Sequence, residues 1–294
     1  MSDSGIIKTN FKELNLVSRG KVRDIYDVHD HLLIVTTDRI SAFDVIMPNP
    51  IPDKGKILTR MSVFWFDKMT DIIGNHLITT NVDEFPEECT PFKASMKDRS
   101  MLVRKARPLP VECVVRGYLT GSGWKDYSQG RTISGITLPG GLKESAKLTE
   151  PIFTPSTKAE AGEHDMPIPK KEMENIIGRD LTEKIITITM DIYDKATKIA
   201  DKAGIIIADT KMEFGMIDDG LILIDELLTP DSSRFWPKNL FEEGRPQQSY
   251  DKQFLRDYLL SIEWDQKPPA PELPDHIIQK TREKYEEALK RLIQ

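Results

Sequence analysis

A two-lobed α+β fold is what three features of the hydrophobic pattern predict for this 294-residue chain. Short strand-forming runs crowd the first third, a long helical repeat occupies residues 170–203, and a strand pair follows at 205–226. Strands gathered first and a mixed half afterwards suit an antiparallel sheet in an N-terminal lobe and a larger α/β lobe behind it. The length allows one large or two modest domains with a real core.

Taken in order, strand character runs over residues 15–28, then LLIVTT at 32–37 and SMLVRKA at 100–106. Between them, residues 57–73 repeat apolar positions at three and four, the period of a helix. RPLPVECVVRGYL places two prolines before a Val-rich strand. This punctuation sets a domain boundary near 108–112, dividing the chain into 1–110 and 111–294. GYLTGSGW reads as a glycine-bearing turn, and 128–168 as loops and turns long enough to be functional. The 170–203 helix is predicted to break near Gly178 and stop at Gly204. Helices then run to the end, interrupted at KPPAPELP.

Composition narrows the function. Charged residues are 30% and hydrophobic ones 39%, ordinary for a soluble globular protein. A net charge of −6 argues against a nucleic-acid partner, although a local basic cleft can still hold a phosphorylated ligand. Cys89 and Cys113 form no metal or redox motif, and two reduced thiols suit the cytosol. The first residues lack the apolar core of a signal peptide, and no run is long enough to cross a bilayer, so a cytoplasmic location without membrane contact is expected.

The 205–226 pair carries the first chemical signal. Asp209, Lys211 and Glu213 alternate along IADTKME and so share one face of a strand. Asp218, Asp219 and Gly220 suit a three-residue loop, which pairs Ile217 with Leu221 and sets Glu213 opposite Asp225. A two-residue loop faces Glu213 with Glu226 instead. Either acidic pair repels unless a cation lies between, and Mg²⁺ accepts one or two carboxylates alongside water and phosphate oxygens.

Five further stretches suit phosphate or substrate handling. SRGKVRDIYDV sets Gly20 among Arg19, Lys21 and Arg23, although no Walker loop is present. VVRGYLTGSG supplies Arg116 and Ser122, and PDSSRFW supplies Ser232, Ser233 and Arg234. TDRISAFD adds Asp38, Arg39, Ser41 and Asp44, and STKAEAGEHDMPI adds Lys158, Glu160, His164 and Asp165.

Together GKVRDIYDV, TDRISAFD, IPDKGKILTRMSVFWF, PVECVVRGYLTGSGW, STKAEAGEHD, ADTKMEFG, DELLTPDSSRFW and SYDKQFLRDYL resemble the SAICAR synthetase family across about residues 18 to 258. The resemblance implies a kinase-like layout and an ATP- and Mg²⁺-dependent ligase joining carboxyaminoimidazole ribonucleotide to L-aspartate. It implies Gly20, Lys21 and Arg23 over the ATP phosphates, Leu109, Val111 and Glu112 at the adenine hinge, and Glu213 and Asp225 as metal ligands. Arg116, Ser122, Ser233 and Arg234 would grip the ribonucleotide, with Ser41, Asp44, His164, Asp165 and Lys252 also on the substrates. Lys211 and Asp209 would be the catalytic pair. A carboxylate needs no base to accept a phosphoryl group, but the aspartate amine must lose a proton, to Asp209, Asp44 or His164. Two rival readings stand beside it: a kinase that stops at a phosphorylated product, using the same metal pair and glycine turn, and a nucleotide-binding module without turnover, which would be expected to lose the metal carboxylates or Lys211, all present here.

Overall fold

The computed structural model describes residues 5–158, 165–218 and 220–293. Its first sheet has the order β1-β2-β3-β7-β6 and is antiparallel throughout. The strands are β1 (Asn15–Arg19), β2 (Arg23–Val28), β3 (His31–Thr36), β6 (Leu77–Thr79) and β7 (Ser100–Arg104). A small hairpin, β4 (Ser41–Ala42) with β5 (Val45–Ile46), precedes helix α1 (Lys54–Lys68), and a short helix α2 (Lys93–Met96) precedes β7.

The second sheet is built on two long strands, β8 (Arg107–Tyr118) and β13 (Ile205–Ile217). β11 (Lys147–Phe153) and β12 (Ser156–Thr157) extend β8, while β14 (Gly220–Ile224) and β15 (Ser233–Pro237) flank β13. Between β8 and β11 lie helix α3 (Gly121–Gly130) and the hairpin β9 (Thr132–Ile133) with β10 (Ile136–Thr137). Helices α4 (Lys170–Ile177) and α5 (Arg179–Lys202) lead into β13; α6 (Gln253–Ser261) and α7 (Asp275–Ile293) follow the second sheet.

Local chemistry explains these boundaries. Gly178, at φ 87°, separates α4 from α5, and Gly204, at φ 71°, ends the turn after α5, as the sequence predicts. α5 buries Ile185, Thr189, Ile192, Tyr193, Ala196 and Ala200, spaced by one to four residues along one stripe. That stripe packs beneath Cys113 and Val115 of β8 and Met212 and Phe214 of β13 in the main core. Helix α1 has no cap from its own Asp53; instead Asp38 Oδ1 accepts the Gly55 amide at 2.9 Å and pairs with Arg99 at 3.0 Å. Gly55 is required there, because a Cβ would lie 2.2 Å from the Thr36 carbonyl oxygen.

Two expectations change. The GSGW segment opens α3 rather than forming a turn. Its glycines, poor helix formers, are kept for close approach to two arginines described below. In the hairpin, Ile217 pairs with Gly220, not Leu221, leaving two residues between them. Asp218 takes φ 50°, a conformation Asp tolerates, so the tighter turn closes. Glu213 consequently faces Ile224, and neither Asp225 nor Glu226 is its direct cross-strand partner on β14.

The two sheets meet along a seam. Leu223 of β14 donates to Gly74 O and accepts from His76 N, both at 3.0 Å, just before the chain enters β6. This seam sets the first sheet beside the chemical face of the second.

Candidate active site

Alternation along β13 delivers the predicted charged face. Met212 and Phe214 are buried in the core, while Lys211 and Glu213 are half-buried on the other side. β8 supplies their neighbours: Asp209 lies opposite Arg116, Lys211 opposite Val114, and Glu213 opposite Glu112. Directly opposed carboxylates repel, so Glu213 and Glu112 require cations nearby. Lys158 pairs with Glu213 and Lys211 pairs with Glu112.

Asp225 reaches Glu213 by a different route from the one expected. β14 ends at Ile224, and Asp225 turns at φ 63°, so both carboxylates line one cavity of about 200 Å³. Ile25, Leu32 and Ile34 of the first sheet form its apolar wall. Arg23 reaches across from β2 to Asp225 at 3.0 Å and also pairs with Glu226. Burial opposes the Arg23 charge, but Asp225 and Glu226 outweigh it and hold the guanidinium firmly protonated. Burial likewise disfavours ionised Asp225, yet Arg23, Lys211 and Lys158 keep its carboxyl below the usual range. Glu226 is the opposite case: burial prevails over Arg23 and raises it. His76 lines the same cavity, and burial lowers its imidazole to about 4, so it is neutral at pH 7.

Glu112 occupies the middle of the face. It is 4% exposed, and burial pushes its carboxyl up to about 7 against the pull of Lys211. Asp165 and Glu213 add to the rise, which places Asp165 in the same field. Leu109 and Val111, its neighbours on β8, send their side chains into the core. The Glu112 side chain, on the opposite face of β8, pairs with Lys211.

At the far end of the face the balance reverses. Asp209 Oδ2 accepts from Arg116 Nη1 at 3.1 Å and also from Arg234. Arg116 further donates to Thr154 Oγ1 at 3.0 Å and to Ser122 Oγ at 3.1 Å. Ser122 sits in the first turn of α3, whose free amides carry partial positive charge. Gly121 has φ 56°, and a Cβ there would lie 2.2 Å from Arg234 Nη2; one on Gly123 would come within 3.2 Å of Arg116. The glycines thus allow a helix N-terminus to press against two guanidiniums that share a single carboxylate. Ser233 donates to Thr210 Oγ1 at 2.8 Å and fixes the β13–β15 register beside Arg234.

The remaining predicted residues fall into two smaller groups. Lys21 pairs with Asp44, which follows Phe43 in a turn where both have positive φ; Ser41 is buried in β4 just before it. Buried Arg39 donates to Gly20 O at 2.9 Å and to Asp24 at 2.7 Å, holding the glycine turn from behind. Lys252, at the start of α6, pairs with Asp231 at 3.3 Å. The position of His164 lies outside the described residues. Pattern reading passed over Lys54, Asp231 and Tyr285, which surround Lys252, because their nearness comes from packing between distant elements.

A family model described as SAICAR synthetase matches residues 16–271. The chain belongs to the SAICAR synthetase family. It is 60% identical over 291 residues to the phosphoribosylaminoimidazole-succinocarboxamide synthase of Desulfosudis oleivorans, covering 99% of both proteins. Among solved structures it is similar to the SAICAR synthase of Saccharomyces cerevisiae complexed with SAICAR, with a TM-score of 0.90 and 45% identity. That match covers 98% of this chain and 97% of the yeast chain. A type-2 SAICAR synthetase in complex with ADP aligns with a TM-score of 0.67 and 25% identity, covering 94% of this chain and 97% of the other. SAICAR synthetase membership accounts for the eight collinear motifs together.

Proposed function

We propose that the cleft between the two sheets is the catalytic centre of this chain, an ATP-dependent ligase of purine biosynthesis that forms SAICAR. The amide joins the carboxylate of carboxyaminoimidazole ribonucleotide to the amine of L-aspartate, releasing ADP and phosphate. One observation carries the assignment of sites: a single face of β13 has a surplus of cations at Asp209 and of carboxylates at Glu213. The two positions are four residues, or about 13 Å, apart. An anionic substrate suits the first and a metal–nucleotide complex the second.

Residues 1–110 act as the nucleotide-covering lobe and 111–294 carry the metal and substrate sites. The first sheet, within residues 15–104, and the second, beginning at Arg107, support this division. The turn at Gly20, Lys21 and Arg23 covers the ATP phosphates, and the adenine lies along Ile25, Leu32 and Ile34 near the main chain of 109–112. Glu213 and Asp225 suit Mg²⁺: they are hard oxygen donors lining one cavity. Substrate phosphate and water oxygens would fill the other positions. When bound, Mg²⁺ neutralises phosphate charge.

Arg116, Ser122 and Arg234 hold the ribonucleotide phosphate at the α3 N-terminus, with Ser233 beside them. Ser41, Asp44, His164, Asp165 and Lys252 complete the substrate sites. A carboxylate oxygen of the ribonucleotide attacks the γ-phosphorus; the bond to the ADP oxygen breaks and an acyl phosphate forms. Lys211 steadies the charge of the transferring group. The aspartate amine then attacks the acyl carbon, phosphate leaves, and the amine proton passes to a base. Asp209 is clamped between two arginines, and Asp44 and Glu112 each pair with a lysine; of these Glu112, whose acidity burial brings near neutrality, is taken as the acceptor. The test is to supply ATP, ribonucleotide and aspartate together, then omit each in turn. Sustained ADP release that needs all three is expected; full release without aspartate would make the protein a kinase.

A further inference from the structure

Behind the cleft lies a second carboxylate shared by two cations. Asp231 Oδ2 accepts from Lys54 Nζ at 2.7 Å and lies 3.3 Å from Lys252 Nζ; Asp231 Oδ1 accepts from Tyr285 OH at 2.6 Å. Lys54 is wholly buried and its ammonium sits 5.7 Å from the centre of the Tyr285 ring. Lys252 retains slight exposure, with 11% of its side chain open to solvent. Three elements converge here: Lys54 begins α1, Lys252 is the N-cap residue of α6, and Tyr285 lies in the middle of α7.

A buried ammonium is costly unless paired, so Lys54 needs Asp231. Tyr285 satisfies the other oxygen, and the one carboxylate is shared by Lys54 and Lys252, so the two ammoniums carry one charge more than Asp231 neutralises. Five residues earlier, Glu226 and Asp225 share the single cation of Arg23. The network from Arg23 to Lys252 thus holds three cations and three carboxylates, but it is polarised: acid-rich at Asp225 and cation-rich at Lys252.

We propose that Lys54 is a positioning residue for the reaction: by sharing Asp231 with Lys252, it leaves Lys252 with unneutralised charge that receives an anionic oxygen group of a co-substrate. The inference rests on the substrate role given to Lys252 above. The chemistry suits either an aspartate carboxylate or the ribonucleotide phosphate, and separate KM values distinguish them. Lys54 touches no substrate, and its effect passes through Asp231.

The purified full chain is assayed with ATP, ribonucleotide and aspartate varied singly. Lys54→Met hands Asp231 to Lys252, and KM for one of the two anionic co-substrates rises about tenfold, while KM for ATP stays within about twofold. Adding Asp231→Asn frees Lys252 again and recovers most of the loss, an outcome that mere loosening of the fold would not give. Tyr285→Phe removes one donor from Asp231 and raises the same KM about threefold, which keeps the test alive if the Lys54 variants do not fold. Failure of the double substitution to recover KM overturns the proposal, as does an unchanged KM in Lys54→Met or Tyr285→Phe. Lys252→Met separates the two layers: an unchanged KM removes the substrate role of Lys252 and this inference with it. A raised KM there, without an effect of Lys54, removes the inference alone.

Discussion

The two ends of the β13 face solve opposite electrostatic problems with the same parts. At Asp209 one carboxylate serves two guanidiniums, Arg116 and Arg234, beside the N-terminus of α3. At Asp225 and Glu226 two carboxylates share the one guanidinium of Arg23, with Glu213 on the same cavity. Each end is left one charge short of balance. The difference teaches that the sign of the unmet charge, rather than the number of charged residues, tells which ligand an end awaits.

Breaking the acidic end should have the largest effect. Asp225→Asn or Glu213→Gln is expected to lower ADP formation by about a thousandfold or more, with the melting temperature within a few degrees of the parent. Asn tolerates the left-handed backbone at 225, so Asp225→Asn probes charge rather than folding. Full activity in either variant, measured as ADP release with all substrates present, would remove the metal assignment.

The cationic end should respond in KM. Arg234→Ala is expected to raise KM for the ribonucleotide about a hundredfold and KM for ATP much less, since the proposed charge-assisted phosphate contact would be lost. Equal changes in both constants would mean that the two ends are not separate sites.

Between the ends, Glu112 gives a pH signature. Its carboxyl stands at about 7 against an ordinary 4.5, so between those values the folded protein holds a proton that the unfolded chain releases. Its contribution to stability therefore falls as pH rises from about 4.5 to 7, while activity is expected to rise over the same range if Glu112 is the proton acceptor proposed above. Glu112→Gln should remove the acid limb near 7 from the rate profile and flatten that part of the stability profile. An acid limb that survives unchanged assigns the proton to another group.

The glycines give the smallest and sharpest contrast. Gly121→Ala meets both a positive φ and Arg234, and should cost about 1–3 kcal/mol of stability while also raising KM for the ribonucleotide. Gly20→Ala meets only the Arg23 carbonyl, at 3.6 Å, in an ordinary conformation. It should shift the melting temperature by about a degree or two at most, read by the same thermal scan.

Much of this was legible in the sequence because period and spacing are local. The alternation of Asp209, Lys211 and Glu213, the break at Gly178 and the strand at 32–37 all follow from side-chain direction and helix propensity. The hairpin register was misjudged on two counts: Asp218 adopts positive φ and lets Gly220 enter the ladder, and the resulting two-residue loop counts back from Glu213 to Ile224 rather than to Glu226. The helix at 121–130 was hidden for a related reason: its glycines are explained only by the arginines they approach. Lys54, Asp231 and Tyr285 carry no motif signal linking them, since 177 residues separate the first pair in the chain. Their proximity is a property of the packed whole.

The stitch between Leu223 and Gly74–His76 has a mechanical consequence. Flexing that admits a nucleotide cannot part the sheets there without breaking main-chain hydrogen bonds next to Asp225. An opening of the cleft about this stitch would carry the turn at Gly20 along with the first sheet and leave Asp225, two residues from Leu223, close to the axis.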